Sequence, residues 1–206
     1  MFQSDEHIIL ATSNLHKYRE ISGILSKYRI NIDHRDIKRL EIQSDSLEEI
    51  VTASINQVAC LQNDAVLVED SGLFIYALNG FPGPYSSYIY RTLGNLGVLR
   101  LMNGIESRRA CFKSVLAFLR PSSEPDLFQG IALGRISEAA IGSEGFGFDP
   151  IFIPDEGDGR TFGQMRRNEK NELSHRAKAA RGFAVWYSSM RQSRPSSARC
   201  QESGNT

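Results

Sequence analysis

Cysteine is scarce in this 206-residue chain: Cys60, Cys111 and Cys200 are odd in number and widely spaced, which excludes a disulfide framework and a zinc site and suits a reducing compartment. Net charge is also missing. Twenty-four Lys and Arg balance twenty-four Asp and Glu, so nothing in the overall charge grips a nucleic acid polymer or an anionic membrane, and any anion must be held locally. No apolar run approaches the ~20 residues of a membrane helix. The opening Met1-Phe2-Gln3-Ser4-Asp5-Glu6 lacks the basic and apolar regions of a signal peptide, so a cytoplasmic location is expected. There is no internal repeat, and no Walker pattern, which excludes a P-loop. The length suits one domain, lobed around a cleft, over residues 1–190. Residues 191–206 contain no large apolar side chain, and a disordered tail is expected there.

What is present is organised around Val66-Leu67-Val68-Glu69-Asp70-Ser71-Gly72. An apolar run without alternation reads as a strand buried on both faces, stopping at two carboxylates, a hydroxyl and a glycine. Open α/β sheets bind ligands at the carboxyl ends of such strands. If the strand continues, Glu69 and Asp70 point to opposite faces. An acidic, solvated turn explains the stretch equally well on its own.

Around it, residues 7–12 read as a first strand running through Thr12-Ser13-Asn14 into a helix with a stripe of Tyr18, Ile21, Leu25 and Tyr28, capped by Ser13 or Asn14. Lys17 then falls in the first turn, where its charge opposes the helix dipole. That choice makes sense if an anion such as a phosphate binds the free amides there. A strand is expected over residues 30–33. Glu41 is flanked by apolar residues, and Ser46 with Glu49 forms a capping box for a second helix ending at Cys60.

Residues 79–84 are turn chemistry, with Pro84 suited to open a helix continuing through Leu101. Residues 110–119 and 127–136, split by a Pro-Ser-rich segment, read as an antiparallel hairpin. Phe146 and Phe148 sit among glycines before a short strand at 151–153; they serve either a stacking surface for a flat base or core anchoring. Residues 160–181 are basic, and Ser174 can cap a last helix with Ala180, Phe183, Ala184 and Tyr187 on one face.

Five separated pieces, in order, together resemble one family. They are Thr12-Ser13-Asn14-Leu15-His16-Lys17; Glu41-Ile42-Gln43; Glu69-Asp70-Ser71-Gly72 with the loop of residues 81–87; Phe146-Gly147-Phe148-Asp149-Pro150; and Glu169-Lys170-Asn171-Glu172-Leu173-Ser174-His175-Arg176. The chain resembles the inosine triphosphate pyrophosphatases, house-cleaning hydrolases of non-canonical purine nucleoside triphosphates, over roughly residues 7–190. The resemblance implies an α/β fold with a long mixed central sheet, flanking helices and two lobes around a nucleotide cleft, usually in a homodimer. It also implies cleavage of ITP, dITP or XTP to the monophosphate and pyrophosphate.

By the same resemblance Thr12, Ser13, Asn14 and Lys17 hold the triphosphate, and Asp70 is proton acceptor and metal ligand, with Glu41 a second ligand. Ser71, Phe146, Gly147, Phe148, Asp149 and Lys170 contact nucleotide, and His175 and Arg176 read the base. Ala177 departs from the glycine that many relatives carry after Ser-His-Arg. Mg²⁺, with Mn²⁺ as a substitute, is the expected cofactor, because a hard cation binds through one or two carboxylates plus substrate phosphates. The related Maf-like class and a nucleotide-binding module without turnover are the competing readings. The Ser-Asn-x-x-Lys and Ser-His-Arg pieces argue against the first, and Lys17, Glu41, Asp70 and Lys170 together argue against the second.

Overall fold

The computed structural model describes residues 6–38, 42–61 and 64–193. Glu41, the expected second metal ligand, and residues 194–206 of the expected tail lie outside the described residues.

The first strand, β1 (Ile8–Ala11), is entirely buried and leads through Thr12 and Ser13 to helix α1 (Leu15–Leu25). Asn14 caps that helix by accepting from the amides of His16 and Lys17. Strand β2 is Asp33–Arg35, later than the expected 30–33. After α1 the chain turns back at Arg29, with φ +59°, and Ile30 donates to Leu25 O, so Ile30 and Ile32 are spent anchoring the turn before the sheet edge is reached. Helix α2 (Leu47–Ala59) is capped by Ser46 Oγ; the Glu49 side chain takes Ser44 Oγ, so only half of the capping box forms.

Strand β3 (Ala65–Ile75) does not stop at Glu69. Its polar residues lie mid-strand, because β5 (Arg109–Leu119) pairs with it antiparallel from Val66↔Leu119 to Ile75↔Ala110. Its other edge is shared. β1 runs parallel beside it through Leu10↔Leu67, and β4 (Pro82–Gly83) pairs antiparallel from Phe74↔Pro82 to Leu73↔Gly83. Between those two neighbours, residues 68–72 have no strand on this edge among the described residues, and this opening at the end of β1 is where the site forms. Gly72 lets β4 approach, since a Cβ there would stand 2.2 Å from Gly83 O.

The expected single helix over residues 84–101 is two, α3 (Ser86–Thr92) and α4 (Gly94–Leu101), broken where Gly94 takes φ +62°. Strand β6 (Asp126–Ile136) completes the hairpin with β5, and β7 (Phe152–Pro154) pairs with its end. Helix α5 (Arg167–Leu173) precedes α6 (His175–Ser193), whose start is capped by Ser174 Oγ accepting from Ala177 N. Residues 191–193, assigned to the tail by composition, belong to α6.

The sheet order is β2-β1-β3-β5-β6-β7, with β4 beside β3, so the seven strands are parallel at one end and antiparallel at the other. Helices α1 and α6 pack Ile21, Leu25, Ala180 and Phe183 on one face against Leu10, Leu67 and Phe118. On the opposite face α2 packs Val51, Ile55 and Val58 against Val66, Val68 and Val115. A second core gathers Leu73, Phe112, Ile136, Phe148, Phe152 and Phe162 around the far halves of β3 and β5. The two lobes thus share β3, β5 and β6, and the cleft lies where the cores meet. No helix among the described residues is long and apolar enough to cross a membrane.

Candidate active site

The alternation of β3 continues through its polar centre. Leu67 faces α1 and α6 while Val66 and Val68 face α2, so Glu69 and Ser71 fall on the α6 side and Asp70 on the α2 side. Arg176, in the first turn of α6, accordingly donates from Nε to Glu69 Oε1 at 3.1 Å and from Nη2 to Ser71 Oγ at 2.7 Å. Lys17 reaches both faces through the opening beyond β1. Its Nζ lies 3.0 Å from Glu69 Oε2 and 3.2 Å from Asp70 Oδ1. The lysine that opposed the helix dipole is therefore held by two carboxylates on the neighbouring strand.

Glu69 is 1% exposed and also accepts from Ser114 Oγ at 2.7 Å. Burial alone would raise its carboxyl, but Arg176 and then Lys17 outweigh that and hold it well below the ordinary carboxylate range. Asp70 differs. Burial raises its proton affinity, Lys17 opposes, and the neighbouring Glu69 charge adds to the rise. Two adjacent carboxylates thus have opposite tendencies: one is a permanent anion and the other is the better proton acceptor.

At the other end of the cleft Lys170, 2% exposed, donates to Glu20 Oε1 at 2.8 Å and Asp149 Oδ2 at 2.7 Å. Glu20 Oε2 accepts from Arg176 Nη1. Asp149 Oδ2 also accepts the Phe146 amide at 2.8 Å, which ties the glycine-rich loop to the ion pair. Gly145 permits that closure, since a Cβ there would meet Asp149 Oδ2 at 2.1 Å. The two phenylalanines differ in burial. Phe148 is buried, edge-on to Tyr90, while the half-buried Phe146 ring stands 4.9 Å from Lys170 Nζ, 5.2 Å from Arg176 Cζ and 5.2 Å from the His16 ring. Gly147 lies between them with φ +64° and accepts from Asn95 Nδ2.

His175 is buried and stacks on Phe112 at 4.6 Å and 9°. Burial, then the charges of Arg176 and Lys170, pushes its pKa well below the ordinary imidazole value, so it is neutral. Its Nδ1 is buried without a hydrogen-bond partner among the described residues. Thr12, Ser13, Asn14, Lys17, Asp70, Ser71, residues 146–149, Lys170, His175 and Arg176 all line one cavity of about 520 Å³, large enough for a nucleotide. Every described residue singled out from the sequence is therefore at one place.

Sequence reasoning missed three supports of this site. Glu69 was seen only as half of a carboxylate pair. Ser114 interrupts the apolar run of β5, a polar residue that an otherwise buried strand does not need. Glu20 lies beside Ile21 on the buried stripe of α1, and a carboxylate at that position was the available signal.

A mixed seven-stranded sheet, a cleft between two cores and a line of carboxylate-backed cations define an α/β nucleotide-handling protein. The Ham1 family model matches residues 8–186, and the chain belongs to that family. It is similar to proteins named dITP/XTP pyrophosphatase from Methanopyrus kandleri, 49% identical over 87% of this chain and 95% of the relative, and from Pyrococcus horikoshii, 46% identical over 87% and 95%. Among solved structures it is similar to the Ham1 protein of Staphylococcus aureus (TM-score 0.77, 26% identity, 90% of this chain and 100% of the other). The HAM1 protein of Coxiella burnetii superposes likewise (TM-score 0.79, 26% identity, 89% and 99%).

Proposed function

We propose that this protein hydrolyses non-canonical purine nucleoside triphosphates, dITP, ITP and XTP, to the monophosphate and pyrophosphate, cleansing the nucleotide pool of the cytoplasm. The observation that carries the reading is the two-ended cleft: Lys17 with Glu69 and Asp70 at one end, and a half-buried aromatic ring over Lys170 and Arg176 at the other. The relatives named for this activity match nearly their whole length.

In this reading the triphosphate lies on the start of α1, held by Thr12, Ser13, Asn14 and Lys17. Water attacks the α-phosphorus, its proton passes to Asp70, and the bond to the bridging oxygen breaks so that pyrophosphate leaves with the electron pair. Lys17 can follow the growing charge on the leaving group, a stabilisation that strengthens in the transition state. Ser71, Gly147, Asp149 and Lys170 bound the nucleotide, with Phe146 offering its face to the base and Phe148 anchoring the loop.

A divalent cation fits here. Asp70 lines the cleft with a partly exposed carboxylate, and such ions take hard oxygens. Among the described residues no cluster of three or more His, Cys, Asp and Glu forms a cage. In this reading Asp70 and Glu41 are the protein's share of the ligands, and substrate phosphates and water supply the rest. Mg²⁺ or Mn²⁺, when bound, supplies positive charge that lowers the proton affinity of the attacking water.

For the base, Arg176 presents only donors, which favours the 6-keto oxygen of hypoxanthine and xanthine and leaves the adenine amino group facing another donor. Guanine shares that oxygen, so its exclusion needs a second element near position 2. A homodimer is the assembly expected in this reading. The chain through Ser193, the end of α6, acts as one functional unit in this reading, with the residues after it dispensable.

Product analysis without a coupling enzyme tests the reading. Pyrophosphate from ITP and XTP, far less from ATP, GTP and UTP, and none with EDTA, is the expected pattern. Orthophosphate as first product, pyrophosphate only from pyrimidine triphosphates, or binding without product would each replace it.

A further inference from the structure

The loop of residues 145–149 carries the half-buried Phe146 ring beside Lys170 and Arg176, and it is folded as a closed unit. The Phe146 amide donates to Asp149 Oδ2 at 2.8 Å, and the Asp149 amide donates back to Phe146 O. A closed unit can still turn as a whole, so its attitude is set by what holds it from outside. Lys170 holds Asp149 on one side, and the buried Phe148 ring meets Tyr90 on another. Gly147, between the two phenylalanines, has no side chain to anchor. Its carbonyl is the remaining handle, and among the described residues Asn95 Nδ2 is what donates to it, at 3.2 Å.

Asn95 reaches the loop because the helical run breaks. Gly94, with φ +62°, opens α4 two residues after α3 ends, and Asn95 is the second residue of the new helix. Its Oδ1 is buried and has no hydrogen-bond partner among the described residues. A side chain kept only for stability would not leave an acceptor unpaired in a buried place, whereas one kept for its donor can. The bond to Gly147 gives both the break and the unpaired oxygen a reason.

We propose that Asn95 is a positioning residue for nucleotide binding: from α4 it fixes the tilt of the glycine-rich loop, so that Phe146 presents its face to the base at one set angle. This rests on the reading of Phe146 as the surface on which the base stacks. Stacking tolerates any base, because every base has a π-face, so the tie raises affinity for purine nucleotides alike and does not choose among them. A ligand with phosphates and no base should not notice its loss.

The experiment is steady-state kinetics of wild type, Asn95→Ala and Asn95→Asp on ITP and ATP, with inorganic tripolyphosphate as a competitive inhibitor and a thermal melt of each protein. Asn95→Asp keeps the volume and removes the donor. Both variants are expected to raise KM for ITP by about three- to tenfold with kcat held within about twofold, the pattern of lost uniform binding. The ITP over ATP ratio of kcat/KM and the tripolyphosphate Ki should each stay within about twofold. A merely structural role would instead lower kcat through loss of active protein and leave KM where it was. In a Phe146→Leu background Asn95→Ala is expected to add nothing further, since the surface it aims is gone. An unchanged KM in a folded variant, a parallel rise in the tripolyphosphate Ki, or a full additional loss in the Phe146→Leu background overturns the proposal. So does the failure of both variants to fold, which would make Asn95 a support of α4 alone. If wild type itself releases no pyrophosphate from ITP, the functional reading fails and the proposal falls with it, an outcome visible before any variant is made.

Discussion

Asp70 and Glu69 are neighbours in sequence and opposites in chemistry. Glu69 is enclosed by Arg176, Lys17 and Ser114, while the Asp70 side chain keeps a 20% exposed surface toward the cleft and, among the described residues, meets Lys17 alone of the cations. An ordinary aspartate, at about 3.9, is a weak base at neutral pH, so a rise caused by burial suits a group that receives a proton from water. Asp70→Asn is expected to cut kcat by roughly 10²–10⁴ while moving the melting temperature little, since no packed apolar side chain is removed. A full kcat in that variant would put the chemistry elsewhere. Arg176→Ala is a poorer probe of base reading than the sequence suggests. It takes one cation from both Glu69 and Glu20, leaving them Lys17 and Lys170 alone, and breaking a buried pair from one side costs up to about 3–5 kcal/mol.

At the scale of elements, the site depends on close approach as much as on side chains. Helix α6 begins directly against β6, and a Cβ on Gly130 would stand 2.0 Å from His175 O and 2.5 Å from Ala179 N, both backbone atoms. Gly130→Ala is therefore expected to cost about 1–3 kcal/mol in a denaturation experiment and to raise KM for ITP, because the displaced turn carries His175 and Arg176. Unchanged stability would mean that the helix yields freely. At the opposite end of β1, His7 Nε2 lies 2.6 Å from Asp33 Oδ2 on β2 and Nδ1 3.2 Å from Asp64 Oδ1 just before β3. Hydrogen bonds to Asp33, then Asp64, raise its pKa above 6.5. A raised folded-state value means stabilisation that is complete below about 6.5 and lost as pH rises through the folded-state pKa. The gap in melting temperature between wild type and His7→Gln should accordingly be widest near pH 6 and close toward pH 9; a gap that widens with pH would contradict this.

These elements also divide what the sequence made legible from what it did not. The Asn14, Ser46 and Ser174 caps, the β5–β6 hairpin and the buried stripe of α6 are local patterns and were readable. The passage of β3 through Glu69 and Asp70 was not, because polar residues mid-strand are tolerated only when Lys17 and Arg176, distant in sequence, neutralise them. The split at Gly94 was masked by a continuous leucine pattern on both sides of it. The site residues themselves were reached through resemblance of motifs more than through periodicity, and Glu20 escaped because its task appears only when α5 and α6 are folded against α1.

Over the whole molecule, the buried charges form one connected line: Lys17 to Glu69, Glu69 to Arg176, Arg176 to Glu20, Glu20 to Lys170, Lys170 to Asp149 and the loop amide of Phe146. It draws on α1, β3, α5, α6 and the glycine-rich loop, joining the two cores across the cleft. Desolvating this many ions is costly, and apolar packing would serve stability as well or better. The line makes sense as a device that presents cations at fixed points to a triphosphate and a purine. Its central consequence is the bond that is cut. Hydrolysis of ITP in ¹⁸O-labelled water, with products resolved by mass spectrometry, tests that most directly: the account expects one labelled oxygen in IMP and unlabelled pyrophosphate, from attack at the α-phosphorus. Label in pyrophosphate, or IDP with labelled orthophosphate, would contradict it.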